Sequence, residues 1–211
     1  DKWHIFCGIY VMYFCASYSE WKKEAFLCLR KKWRDTMLLI AKDLKISAGA
    51  RTLVEIEQLE IHENDHIGLI GKNGTGKTTL LKTLARLCPP EEGTIEHFSS
   101  VEYLPQLKEQ EGHKSGGELT QQYIQNAFSK QTGILFADEP TTHLDTKHIE
   151  WVEQTLQHWK GAYVIVSHDR AFLDKVCTKI WEINEEKLRE FNGNYEQYKD
   201  QKEREKRHQI Q

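Results

Sequence analysis

The octapeptide GKNGTGKT, Gly71 to Thr78, sets glycines, a lysine and a threonine at the spacing that can hold a chain of phosphates. The glycines let successive backbone N–H groups curl around a β-phosphate, and a helix that follows adds the partial positive charge of its N-terminus. Lys77 would bridge β- and γ-phosphate oxygens, and the Thr78 hydroxyl would ligate Mg2+. Further on, ILFADEP (Ile134 to Pro140) ends an apolar run in two adjacent carboxylates. Beside a phosphate loop, Asp138 would complete the Mg2+ shell, usually through water, and Glu139 would orient or deprotonate the attacking water. Read alone, two acids after a strand more often make a cap or a turn, and it is the upstream glycine loop that reverses this.

VSHDR, Val166 to Arg170, repeats the pattern and delivers His168 to the end of the next apolar run. A γ-phosphate contact is the sharper assignment and a structural histidine the plainer one. Gln106, just after Pro105, could reach Mg2+ or the water, or could be an exposed loop amide. KSGGE, Lys114 to Glu118, opens a helix with Ser115, Gly116 and Gly117, which makes either a second phosphate-sized nest of N–H groups or a plain helix cap.

An α/β domain is the architecture that would position these groups. Met37–Ile46 and Thr52–Ile56 are expected as paired strands, His66–Ile70 as a short strand, and Lys77 to about Leu87 as the helix behind the glycine loop. Thr94–His97 and Val101–Leu104 are further strands, and Ser115–Ser129 is a helix with one buried face. Gly133–Ala137 and Tyr163–Val166 are continuous apolar runs, as central parallel strands require. Ile149, Val152, Leu156 and Trp159 mark an amphipathic helix between them. Lys179–Ile183 and Lys187–Phe191 read as a hairpin, and YEQYKDQKEREKRHQIQ after Gly193 reads as a solvated, charged helix.

At 211 residues with 29% charged and 39% apolar content, the chain can bury a sound core. Its formal charge of −3 excludes a purely electrostatic nucleic-acid coat. The five cysteines are scattered and never form CxxC, so neither a disulfide frame nor a zinc site is suggested, and a reducing, cytoplasmic setting fits. The longest apolar stretch, Ile5 to Cys15, is too short to cross a bilayer. Composition shifts near residue 36, because nine of the 22 aromatic residues precede it. Residues 1–36 are therefore an atypical N-terminal extension, either a basic amphipathic anchor or upstream sequence ahead of a natural start at Met37.

The order of these motifs resembles an ATP-binding cassette of the P-loop NTPase class. GKNGTGKT is similar to Walker A, Gln106 to the Q-loop, SGGE to the signature, ILFADEP to Walker B, HLD (His143–Asp145) to the D-loop and His168 to the switch histidine. DEPTTHLD, VSHDRAFLD and FNGNYEQY with the charged helix resemble the ABC-F family, twin-cassette ATPases acting on ribosomes, and LPQLKEQEGHKSGGE resembles its Vga-type antibiotic-resistance branch.

The resemblance implies that ATP is held by Gly71, Asn73, Gly74, Thr75, Gly76, Lys77, Thr78 and Thr79, with Mg2+ served by Thr78, Gln106 and Asp138. Glu139, His168 and Gln106 would serve hydrolysis. Asp145 would communicate across a dimer interface, and Ser115, Gly116 and Gly117 would contact nucleotide held by a second cassette. It implies a cassette core at 37–193 with an antiparallel β subdomain, and a linker helix beginning in 194–211. It also implies a ribosomal partner (rRNA or tRNA) and no membrane partner. An ABC transporter subunit, or a nucleotide-binding fragment without turnover of its own, are the alternatives. Three departures stand out. No aromatic residue lies between Met37 and Gly71 to stack on adenine, leaving Arg51 as the candidate; Lys114 precedes SGGE; and only eight residues separate Gln106 from Ser115, so the helical subdomain must be much reduced.

Overall fold

A computed structural model describes residues 36–106 and 116–209. The anchor reading of residues 1–35 and the expectations for Lys114 and Ser115 lie outside them. Nine strands form one sheet in the order β4-β1-β2-β9-β8-β3-β7-β6-β5. The strands are β1 Met37–Ala48, β2 Arg51–His62, β3 His66–Gly71, β4 Glu92–His97, β5 Val101–Leu104, β6 Ile134–Asp138, β7 Ala162–Val166, β8 Lys179–Asn184 and β9 Lys187–Asn192. Among the described residues five helices accompany them: α1 Lys77–Leu84, α2 Gly116–Ser129, α3 Thr146–Gln157, α4 Arg170–Val176 and α5 Tyr195–Gln209.

The parallel half, β8-β3-β7-β6-β5, is covered on both faces, and the strict alternation of its strands divides the core in two. Ile134, Phe136, Val164 and Val166 point to one face, where they meet α1 through Leu80, Leu81 and Leu84 and the β1–β2 hairpin through Leu39, Val54 and Ile61. Leu135, Ala137, Tyr163 and Ile165 point to the other, against Val152 and Leu156 of α3 and Phe172 and Leu173 of α4. At roughly 25 cal/mol per Å2 of apolar surface removed from water, these two layers supply the main drive to fold. They also fix the carboxyl ends of β3, β5, β6 and β7 on one edge, where open α/β sheets bind ligands.

The antiparallel half departs from the expected strand lengths. β2 runs on to His62 because Leu59 and Ile61 resume the buried alternation after the exposed pair Glu57–Gln58. β1 changes its buried face in the same way at Lys42–Asp43, where the pairing with β4 shifts register and Asp43 takes φ +50°. Gly93 of β4 fits against this bulge, since a Cβ there would lie 2.4 Å from the Asp43 carbonyl oxygen.

Two helix expectations are corrected, and one helix is added. α1 stops at Leu84 rather than near Leu87: Arg86 turns to φ +63°, and the His97 ring Nε2 sits 2.7 Å from the Leu84 carbonyl oxygen. Arg86 Nε donates to His97 Nδ1 at 2.9 Å, which leaves Nε2 as the protonated nitrogen that caps the helix end. α3 ends at Gln157, and Trp159 is buried beyond it rather than within it. α4 was not expected, because seven residues are too few to display a helical period.

The charged helix α5 is held to the sheet by its first turns. Asn194 and Gln197 cap it reciprocally, each backbone N–H donating to the other's side-chain oxygen at 3.1 Å. Glu182 of β8 then accepts from the Tyr198 hydroxyl at 2.8 Å and from Lys202 Nζ at 2.9 Å. Burial, with the neighbouring carboxylate of Glu182, pushes the Tyr198 phenol up. Tyr198→Phe keeps the edge contact with the Phe191 ring and loses only the bond to a charged acceptor. It is expected to cost about 1.5 kcal/mol, read as a lower denaturation midpoint with an unchanged slope.

Candidate functional site

The chain between β3 and α1 must turn sharply, and its glycines permit this. Gly71 (φ +157°), Gly74 (φ +78°) and Gly76 (φ +95°) line the turn. Gly76 caps α1 in the left-handed region, and a Cβ on it would meet the Leu53 Cβ at 2.8 Å, so the loop can pass the β1–β2 hairpin only with glycine there. Thr75 closes the loop on itself, its amide and hydroxyl both donating to the Lys72 carbonyl at 3.3 and 2.9 Å. The first N–H groups of α1 have no acceptor within the helix, as at any helix start, and could receive an anion. Lys77 folds back over the loop and donates to the Gly71 and Lys72 carbonyls at 2.9 and 3.0 Å. Burial lowers its pKa, with Glu139 and Asp138 opposing that shift.

A cavity of about 660 Å3 opens on this loop. It gathers Asn73, Gly74, Gly76, Lys77, Thr78 and Thr79 from the loop and α1 with Gln106, Asp138, Glu139 and His168 from the carboxyl edges of β5, β6 and β7. Three strands separated in sequence thus deliver their end residues to one place. Gly71 and His168 also border a smaller cavity of about 300 Å3 reaching Glu182, Tyr195 and Tyr198 beside α5.

Asp138 is buried as the last residue of β6, and the Tyr103 phenol of β5 hydrogen-bonds it. Burial, followed by that carboxylate, raises the phenol to about 12, so Tyr103 remains a donor that orients Asp138. Glu139 takes φ +52°, an uncommon conformation for a non-glycine residue, and its amide donates to the Val166 carbonyl at 2.9 Å. Its Oε2 accepts from the Thr142 hydroxyl and from the His168 amide, each at 3.3 Å. Its Oε1 is buried and accepts no hydrogen bond, while the His168 Nε2 stands 3.4 Å away. Burial is the chief reason that the Glu139 carboxyl lies above its ordinary range. A buried oxygen without a donor, facing a polar cavity, is the geometry of a group that waits for a proton-bearing ligand.

The donors also fit a magnesium nucleotide. Thr78, Gln106 and Asp138 supply the hard oxygens that Mg2+ prefers, and they share the cavity. Among the described residues no cluster of three His, Cys, Asp or Glu side chains could hold a metal, and Mg2+ ordinarily takes one or two carboxylates together with water and phosphate oxygens.

Other expected residues lie elsewhere. Asp145 is exposed and caps α3, accepting from the His148 amide at 2.9 Å, and that bond is the first cause of its lowered pKa. Gly116 and Gly117 begin α2. Arg51 is exposed at the start of β2 and does not line the cavity. Ala48, Leu53 and Thr142 do line it and escaped sequence reading. For Thr142 the repeated threonines after Pro140 were the available signal; Ala48 and Leu53 carry none, since only the hairpin's packing brings them to the loop.

The protein-family model described as ABC transporter matches residues 53–111. The chain is similar to the erythromycin resistance ATP-binding protein MsrA of Staphylococcus epidermidis, 37% identical over 175 residues that cover 72% of this chain and 36% of MsrA. It is similar to the ribosome protection protein VmlR of Bacillus subtilis, 34% identical over 172 residues covering 70% of this chain and 31% of VmlR. The chain thus spans about a third of the length of these curated relatives. Its fold matches that of an ATP-binding cassette solved as a post-hydrolysis dimer bound to ADP and Pi, with TM-score 0.62 and 18% identity over 74% of this chain and 98% of that one. It also matches a chain from a model of ribosome-bound archaeal Pelota and ABCE1, with TM-score 0.64 and 23% identity over 74% of this chain and 35% of that one. Among the described residues no helix is long and apolar enough to cross a membrane.

Proposed function

The chain belongs to the ATP-binding cassette family, and on that premise we propose that residues 37–193 bind and hydrolyse Mg·ATP as one cassette of a ribosome-acting ABC-F protein. The observation that carries the catalytic part is the meeting of Lys77 and Glu139 in one cavity, the first on the phosphate loop and the second with a buried oxygen that accepts no hydrogen bond. The N–H groups of the loop and the start of α1 that have no partner within the protein, together with the Lys77 ammonium, bind the β- and γ-phosphates. Lys77 then exchanges its contacts with the Gly71 and Lys72 carbonyls for phosphate oxygens, a charge-assisted gain. Thr78, Gln106 and Asp138 would hold Mg2+, which when bound neutralises phosphate charge and orients the γ-group. Glu139 accepts a proton from, or aligns, the attacking water, and His168 donates toward the γ-phosphate.

The raised Glu139 pKa fixes the sign of the pH dependence. A base must be ionised, so turnover falls as pH drops through a value above the ordinary 4.5. Thr142→Val removes a donor that favours the carboxylate and is expected to move this acidic limb to still higher pH, checked by single-turnover rates across pH.

The names of MsrA and VmlR support an antibiotic-resistance, ribosome-protecting role. In that reading Ser115, Gly116, Gly117 and Asp145 face a second cassette, and α5 begins the connection toward it. ATP closes the pair of cassettes and hydrolysis reopens them. A twin-cassette protein carrying this chain with Glu139→Gln should cosediment with ribosomes only when ATP is present. Release regardless of ATP would remove the ribosomal role and leave the ATPase intact.

A further inference from the structure

We propose that Tyr103 is a positioning residue for the magnesium ion of this site: its phenol holds the Asp138 carboxylate in the orientation that receives the metal, and so sets how much the metal adds to nucleotide affinity. The proposal rests on the Mg·ATP site proposed above. The register of the parallel pair β5–β6 brings the two side chains together. Val101 pairs with Ile134 and Tyr103 with Phe136, so Tyr103 stands on the face shared by Ile134, Phe136 and Asp138, one diagonal step from Asp138. Leu104 alternates to the opposite face, where it joins Leu135 and Ala137. Tyr103 packs on the core layer that contains Leu80, Leu81 and Leu84 of α1, so its ring is fixed between the sheet and that helix. The length of a phenol along the strand then carries the hydroxyl to the Asp138 carboxylate, to which it donates.

A carboxylate turns readily about its last side-chain bond, whereas Mg2+ accepts little departure from octahedral geometry. Asp138 is buried, so a donor of the protein rather than bulk water fixes that rotation. A phenol bound to one oxygen leaves the remaining lone pairs to the ion or to its water. Asp138 faces the phosphate loop across the same cavity, and its charge, with that of Glu139, acts on the Lys77 ammonium. A rotated carboxylate there would lose the metal and leave the contacts of Lys77 with the phosphates in place. Partners of this kind, which orient a metal-binding group without touching the metal, are worth about ten- to a hundredfold in metal affinity. β5 thus serves the ion twice, through Gln106 just beyond its end and through Tyr103 behind Asp138.

The test is Tyr103→Phe in the full chain, with ATP affinity measured by equilibrium binding in Mg2+ and in EDTA. Phenylalanine keeps the ring that packs toward α1 and removes only the donor. The gain in affinity that Mg2+ confers on the wild type should fall by about tenfold, while ATP binding in EDTA keeps its wild-type value. Asp138→Asn supplies the second arm: with the charged ligand gone, adding Tyr103→Phe should lower the Mg2+ gain no further. Equal losses in Mg2+ and in EDTA, which a ring that merely fills space would give, overturn the proposal and leave the proposed ATPase standing. So do an undiminished Mg2+ gain in Tyr103→Phe, a further loss in the double variant, or a wild-type affinity that Mg2+ does not raise. A wild-type chain that fails to bind ATP in Mg2+ overturns the ATPase as well.

Discussion

Glu139→Gln is expected to slow nucleotide hydrolysis by about a thousandfold while leaving Mg·ATP binding within a few-fold of wild type. Glutamine keeps the length and one acceptor oxygen, so it can still take the bonds from the Thr142 hydroxyl and the His168 amide that hold this side chain in place. It cannot accept a proton from water. Its amide nitrogen, placed where Oε1 now lies unpaired, would instead donate to the γ-phosphate and hold it. The variant should therefore accumulate bound ATP. Rapid-quench measurement of product beside equilibrium binding separates the two effects, and equal losses in both would assign Glu139 to structure rather than to chemistry.

Lys77→Ala acts one step earlier. Its ammonium lies over the phosphate loop and is partly buried, and that burial lowers its pKa. In the free protein it stabilises the loop only through the Gly71 and Lys72 carbonyls, and water can replace it there. Toward a triphosphate it offers charge-assisted bonds worth about 3 kcal/mol in total, so its loss should weaken Mg·ATP by about a hundredfold. Circular dichroism of the variant should match wild type, because α1 is held by Leu80, Leu81 and Leu84 rather than by this side chain.

That the residues of the glycine loop and the strand ends meet in one cavity was largely legible in the sequence, because it depends on residue type at fixed local spacing. A loop on which any Cβ at position 76 would come within 2.8 Å of the Leu53 Cβ needs Gly76, and a continuous apolar strand such as Ile134–Ala137 can end in Asp138 and Glu139 only at the sheet edge. The central strands followed for the same reason. What stayed hidden depends on contacts between distant segments. Nothing local to Ala48 places it beside the loop, nothing near Glu182 announces Tyr198 and Lys202 as its partners, and His97 ends α1 from a different element altogether. The continuation of β2 past Ile56 was missed because the exposed pair Glu57–Gln58 breaks the alternation by which strands are recognised, and β1 runs past Ile46 only through Ser47 and Ala48, which bury no side chain.

Equilibrium titration of the purified chain with Mg·ATP, beside Mg·ADP and inorganic phosphate, tests most directly whether the cavity between Lys77 and Glu139 is a triphosphate site. Saturable, one-to-one binding of ATP at micromolar concentration, lost with Lys77→Ala, is the result this account predicts. An absence of saturable binding into the millimolar range, or binding that the alanine leaves untouched, would contradict it.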